Sequence, residues 1–251
     1  MDNFDKDPVK GFTVKKLLKY LLIAVILFVY GGFMLRICTM GNPDSMDKYV
    51  WTESAIQLYK TYQDKFSVKK VNEDALSYQY ITTDGKFAVN NIFVTETGGG
   101  KAQVQFTVRY NNSTLEYLRN DYHLTENPAG EPFVYVLSDT NGNIYKKYLF
   151  TKDTKTVYNY RHIIFEDVDI SAMSYTDPSV SYTLYFDVYY IDAVNLLNLP
   201  YGTLPVLKSY YNDEGIYAGY VLEPYNIKKD LFKNDKPTSG ITPSPAYLVT
   251  E

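Results

Sequence analysis

The sequence predicts a mainly β, antiparallel chain tethered by one apolar helix. Three observations carry that prediction. A single apolar run near the N-terminus, residues 17–40, is long enough to cross a bilayer. Beyond residue 66 the hydrophobic period becomes two, the mark of strands with one buried face. Hairpin-type turn sequences separate those strands, and no helix recurs between them, which argues against a parallel α/β sheet.

Composition sets the outer limits. With 45% hydrophobic and 22% charged residues, the 251-residue chain is too apolar to be disordered throughout. One cysteine excludes an internal disulfide framework and a cysteine-based zinc cage. A net charge of −4 argues against nucleic acid as a partner, because phosphate binding needs a basic face.

The anchor comes first in the chain. From Tyr20 to Leu35 no charge interrupts LLIAVILFVYGGFML, and the long stems of Lys19 and Arg36 extend its reach by snorkelling. Tyr20 falls at the edge of the run, where aromatic side chains favour the headgroup level. A soluble helix would show a polar side; this one has none. Met34 to Asn42 contains no A-x-A-like cleavage site, and Cys38 follows Arg36-Ile37 rather than a small residue. The run therefore reads as an uncleaved, single-pass signal anchor in the lipid bilayer. Residues 1–19 hold five lysines, Lys15, Lys16 and Lys19 among them, against three aspartates; beyond Arg36 the balance is −7. The positive-inside rule then places the N-terminus in the cytoplasm and the C-terminal part outside the cell membrane.

Five segments follow from this reading: a basic cytoplasmic stretch at 1–16, the anchor at 17–40, a juxtamembrane linker and helix at 41–66, an extracytoplasmic β-sandwich at 67–225 and a polar, flexible tail at 226–251. Pro43 breaks the anchor helix, and Asp44 or Ser45 can cap a new helix over Met46 to Phe66. Its apolar side could lie on the membrane, with Trp51 at the headgroups. Its mixed polar side instead favours packing on the domain that follows. Strands are expected at Ser77–Thr82, Phe87–Thr95, Val104–Tyr110, Phe133–Ser138, Asn143–Phe150, Thr156–Phe165, Tyr182–Tyr190, Leu204–Tyr211 and Gly215–Leu222. About nine short strands joined by turns such as Gly98-Gly-Gly100 and Asp139-Thr-Asn-Gly142 predict an antiparallel sandwich of immunoglobulin-like type. The Pro/Ser/Thr-rich stretch from Pro237 to Pro245 has few apolar anchors.

Catalytic groups are sparse. Of the two histidines, His123 falls in a polar loop and His162 in a strand, upstream of Glu166, Asp167 and Asp169. A hydrolase would have to centre on His162 with one of those acids in reach; no Gly-x-Ser-x-Gly, Ser-x-x-Lys or His-Glu-x-x-His sequence accompanies it. Asp139-Thr-Asn141-Gly-Asn143 has the alternation of a calcium loop, but Ile144 and Phe150 occupy the positions that require Gly and Glu. It reads as a turn, with no metal. Gly98-Gly-Gly-Lys101 precedes a strand rather than a helix, so it is no phosphate loop. No catalytic residue and no cofactor are expected.

The 27 tyrosines are the unusual count. Tyr110, Tyr182 and Tyr190 fall at inward positions. Tyr185 and Tyr189 alternate with Leu184 and Val188 and so point to the other face, and Tyr210-Tyr211 must address both. Exposed tyrosine rows suit glycan or peptide surfaces, and they also suit cross-strand pairing on a wet sheet. Tyr185, Tyr189, Tyr210 and Tyr211 are the candidate binding residues.

The plan of basic N-terminus, membrane helix, juxtamembrane helix, tyrosine-rich strands and tail, with the hairpin Leu137-Ser-Asp-Thr-Asn-Gly-Asn-Ile-Tyr145, resembles uncharacterised single-pass immunoglobulin-like envelope proteins of low-GC Gram-positive bacteria. The resemblance implies an extracytoplasmic sandwich and transfers no functional residue. The expected role is a non-catalytic interaction or assembly module whose partner is another envelope protein or a cell-wall glycan.

Overall fold

A computed structural model describes residues 14–40, 48–72, 87–124, 131–192, 197–227 and 236–245. Helix α1 (Val14–Met40) is apolar along its length, and from Val14 to Arg36 no side chain is buried. It is long and apolar enough to cross a membrane.

The rest is mainly β. Eleven strands lie within the described residues: β1 (Val68–Val71), β2 (Phe87–Gly98), β3 (Lys101–Asn111), β4 (Phe133–Asp139), β5 (Ile144–Tyr145), β6 (Leu149–Thr154), β7 (Tyr158–Asp169), β8 (Tyr182–Asp192), β9 (Leu197–Ser209), β10 (Leu222–Pro224) and β11 (Thr242–Pro243). They form two sheets, β10-β1-β2-β3-β7-β6-β11 and β5-β4-β8-β9, with every pairing antiparallel. The expected strand at Ser77–Thr82 lies outside the described residues.

The inward faces of the two sheets share one core. Phe106 of β3 meets Phe186 of β8 edge to face at 4.5 Å, and Phe87 of β2 meets Phe133 of β4 at 5.2 Å. Such ring pairs add about 1 kcal/mol each beyond their buried area. Tyr110, Tyr182 and Tyr190 are all buried in this core, as their alternation requires. At the β2–β3 turn Gly98, Gly99 and Gly100 all have positive φ, a conformation that side chains rarely adopt.

The outer face of the seven-stranded sheet is also covered. Residues 49–52 run along it outside any helix, with Thr52 extended. Val50 N–H donates to Gln105 Oε1 at 3.0 Å, and Gln105 Nε2 returns a bond to Val50 O at 2.8 Å. Thr52 Oγ1 donates to Gln103 Oε1 at 3.0 Å and also accepts from Ala55 N–H, capping helix α2 (Glu53–Tyr62). The helix is thus shorter than the expected Met46 to Phe66, because these bonds to the sheet hold residues 49–52 outside it. Trp51 is 2% exposed, wedged among Tyr49, Tyr59 and Phe66. It packs on the domain rather than standing free for a headgroup layer.

The segment expected to be a flexible tail contributes to this layer. Trp51 and Thr238 exchange two hydrogen bonds of 2.9 Å and β11 pairs with β6, while Tyr225, just ahead of that segment, packs on Phe93 at 4.8 Å. Backbone pairing, which needs few apolar side chains, anchors Lys236–Pro245.

Other differences are local. Asn143–Phe150 divides into β5 and β6. Gly215–Leu222 is mostly a hairpin arm joined by the bridge of Tyr211 with Tyr217. A helix not expected from the sequence, α3 (Asn112–Asp121), follows β3; Asn111 caps it by accepting from Ser113 N–H, and Thr114 and Leu118 bury one side.

Candidate functional site

The outward face of the four-stranded sheet carries two of the candidate binding residues, Tyr185 and Tyr189. Alternation along β8 buries Leu184, Phe186, Val188 and Tyr190 and turns Tyr185, Asp187 and Tyr189 outward, where all three are partly exposed. At about 3.4 Å per residue, each ring root stands about 7 Å from that of the carboxylate. Val134 and Val136 of β4, opposite Tyr189 and Asp187 on the neighbouring strand, are almost fully buried. Among the described residues, this face has no counterpart of the hydrophobic cluster that covers the other sheet.

Strand β9 explains how the row is held. Its pairing with β8 is interrupted twice, between Leu184 and Tyr185 and between Val188 and Tyr189. Each bulge sets a proline opposite a tyrosine: Pro205 pairs with Tyr185 and Pro200 with Tyr189. Thr203 lies between them, opposite Asp187. Its hydroxyl donates to Asp187 Oδ1 at 2.7 Å, while Ser138 Oγ donates to Oδ2 at 2.8 Å. Both carboxylate oxygens are therefore oriented. Burial, and secondarily the Asp187 charge, holds the Tyr189 hydroxyl above its ordinary pKa.

The same prolines blunt the sheet edge. Proline offers no N–H to an added strand, and tyrosine hydroxyls take the carbonyls of both. Tyr122 donates to Pro200 O at 2.8 Å and Tyr220 to Pro205 O at 3.4 Å. Strand β9 spans Leu197–Ser209, so it starts ahead of the Leu204–Tyr211 expected from the sequence.

Tyr210 and Tyr211, just past the end of β9, take different partners. Lys208 Nζ lies 4.0 Å from the Tyr210 ring centroid. Tyr211 meets Tyr217 edge to face at 5.4 Å, and Tyr217 lies 5.6 Å from Tyr175. Tyr175 borders a cleft of about 290 Å³ that also includes Glu96, Lys101 and Met173. The candidate tyrosines thus fall into two places, with Tyr185 and Tyr189 in one row.

His162 does not meet the acids downstream of it in any described hydrogen bond. Its Nδ1 contacts Thr107 Oγ1 at 3.0 Å, and desolvation holds the imidazole below its ordinary pKa. Glu166 accepts from Ser54, and Asp169 accepts from the Ser171 hydroxyl at 2.6 Å. Asp139 receives Asn141 N–H, Asn143 N–H and Asn143 Nδ2, so its oxygens organise the β4–β5 turn. No cluster of three metal-ligating side chains occurs among the described residues.

Sequence reasoning passed over a buried ion pair. Arg161 Nε donates to Glu131 Oε2 at 2.6 Å, with both side chains nearly inaccessible. The Tyr110 ring lies 5.4 Å from the guanidinium, and the Tyr135 hydroxyl donates to Glu131 at 3.4 Å. Burial pushes the Glu131 carboxyl above its ordinary range, against the pull of Arg161. The signal was present: Arg161 is in phase with Ile163 and Phe165, at an inward position of β7. Lys15, Lys16, Lys19, Tyr20 and Arg36, the expected interface residues, all lie on α1.

No protein-family model matches the chain, and no curated protein or solved structure matches it either.

Proposed function

We propose that this protein is a non-catalytic interaction module of the cell envelope, a single-pass anchor carrying an extracytoplasmic immunoglobulin-like sandwich. The strand order supports the sandwich reading. With β2, β3, β4, β6, β7, β8 and β9 lettered A to G, β2-β3-β7-β6 is the ABED sheet and β4-β8-β9 the CFG sheet, with β5 added beside C. Tyr182, at the start of strand F, donates to Asp169 O at 2.9 Å across the E–F loop, as a tyrosine corner does. Sequence Lys15, Lys16 and Lys19 on the inner side and one lone arginine, Arg36, at the outer end support the orientation.

The observation that carries the function is the Tyr185, Asp187, Tyr189 row, oriented by bulges and hydroxyls on a partly exposed sheet face. Structural rows of tyrosine need no such fixed carboxylate between them. The test is co-purification of the detergent-solubilised full chain from membranes. A protein retained by the wild type and lost from Tyr185→Ala/Tyr189→Ala supports the reading; equal retention by both sinks it.

A second reading, binding of a cell-wall glycan, draws on the cleft where Tyr175, 44% exposed, stands beside Glu96. Retention on purified cell-wall sacculi that falls with Tyr175→Ala and not with the double variant would favour it.

A further inference from the structure

Resting on the interaction-module reading, we propose that the Tyr185, Asp187, Tyr189 row receives a basic side chain, lysine or arginine, of a protein partner. An ionised carboxylate accepts about four hydrogen bonds. Asp187 uses one position on each oxygen, for Ser138 and Thr203, and both donors are neutral hydroxyls. No ion pair joins it to a cation among the described residues. It is a fixed, partly exposed anion with open acceptor positions.

The flanking rings favour the same ligand. An aromatic face is electron-rich and attracts a cation within about 6 Å of its centroid. A cation bound to Asp187 would stand between two aromatic residues, since the neighbouring outward positions on either side are Tyr185 and Tyr189. The molecule already makes this contact elsewhere: Lys208 lies over Tyr210 at 4.0 Å and Arg109 over Tyr158 at 4.9 Å.

Charge and edge geometry favour a side chain over an added strand. Beyond Arg36 the chain carries a balance of −7, which draws cations to it. Pro200 and Pro205, with their carbonyls taken by Tyr122 and Tyr220, obstruct backbone pairing along β9. Recognition here therefore runs through the face.

The experiment titrates the detergent-solubilised full chain with a Lys-Ser repeat peptide and, in parallel, a Glu-Ser repeat of equal length. The lysine peptide should bind, and Asp187→Asn should weaken it about tenfold, the scale of a lost charge-assisted contact. Thr203→Lys, at an exposed position, should have a similar effect by placing a competing ammonium beside Asp187. Asp213→Asn removes the same charge from an exposed loop and should change nothing. Wild-type affinity retained in Asp187→Asn and in Thr203→Lys, or equal binding of the glutamate peptide, overturns the proposal. A membrane protein that co-purifies with wild type and with Asp187→Asn alike overturns it too, while leaving the interaction-module reading in place.

Discussion

Arg161 donates to Glu131 at 2.6 Å in the interior of the protein, joining β7 to the chain two residues before β4. Two charges taken from water are stabilising only as a hydrogen-bonded pair, and removing one partner strands the other. Arg161→Leu should therefore destabilise the fold by about 3–5 kcal/mol, and adding Glu131→Leu should recover much of that loss. Urea unfolding followed by near-ultraviolet circular dichroism reads both; a double variant as unstable as the single one would refute the pairing.

Tyr182 fastens the β7–β8 loop through its hydroxyl to Asp169 O, while Asp169 N–H donates to Tyr145 Oη at 2.9 Å. Tyr182→Phe keeps the buried ring and deletes one bond. The expected cost is about 1–2 kcal/mol, visible as a lower melting temperature with unchanged secondary structure.

Trp51 is the single tryptophan, so its emission reports the outer layer alone. Its N–H and carbonyl both bond to Thr238, from the C-terminal segment. Deleting residues 236–251 should shift the emission to longer wavelength as water reaches the indole, while the far-ultraviolet spectrum stays that of a β protein. An unshifted spectrum would mean that α2 and Phe66 shield the ring without help.

Burial holds His162 below its ordinary pKa near 6.5, so the unfolded chain binds the proton more readily than the folded one. Its contribution is fully present above about pH 6.5 and declines as pH falls through the interval down to the folded value. His162→Gln retains a hydrogen-bonding group toward Thr107 and cannot titrate. Its melting temperature should vary less between about pH 6.5 and pH 5 than that of the wild type.

Much of this was legible residue by residue. Alternation in Tyr182–Tyr190 marked which tyrosines enter the core and which leave it, because a strand's side-chain period is two whatever surrounds it. The turn at Asp139 and the glycines at 98–100 were legible because turn chemistry is local. The boundaries of α2 were not, since Val50 and Thr52 are held to the sheet by glutamines some fifty residues away. The edge position of β9 was equally hidden, and with it the reason two prolines are tolerated there.

From the chain alone came the apolar N-terminal helix, the β class and the outward placement of Tyr185 and Tyr189, all of which rest on local patterning. The tertiary structure alone decided that Asp187 between them is held from both sides by Ser138 and Thr203, that two bulges seat a proline beside each ring, and that Arg161 finds Glu131 in the core. Those contacts join residues far apart in sequence, and no local pattern encodes which distant strand becomes a neighbour.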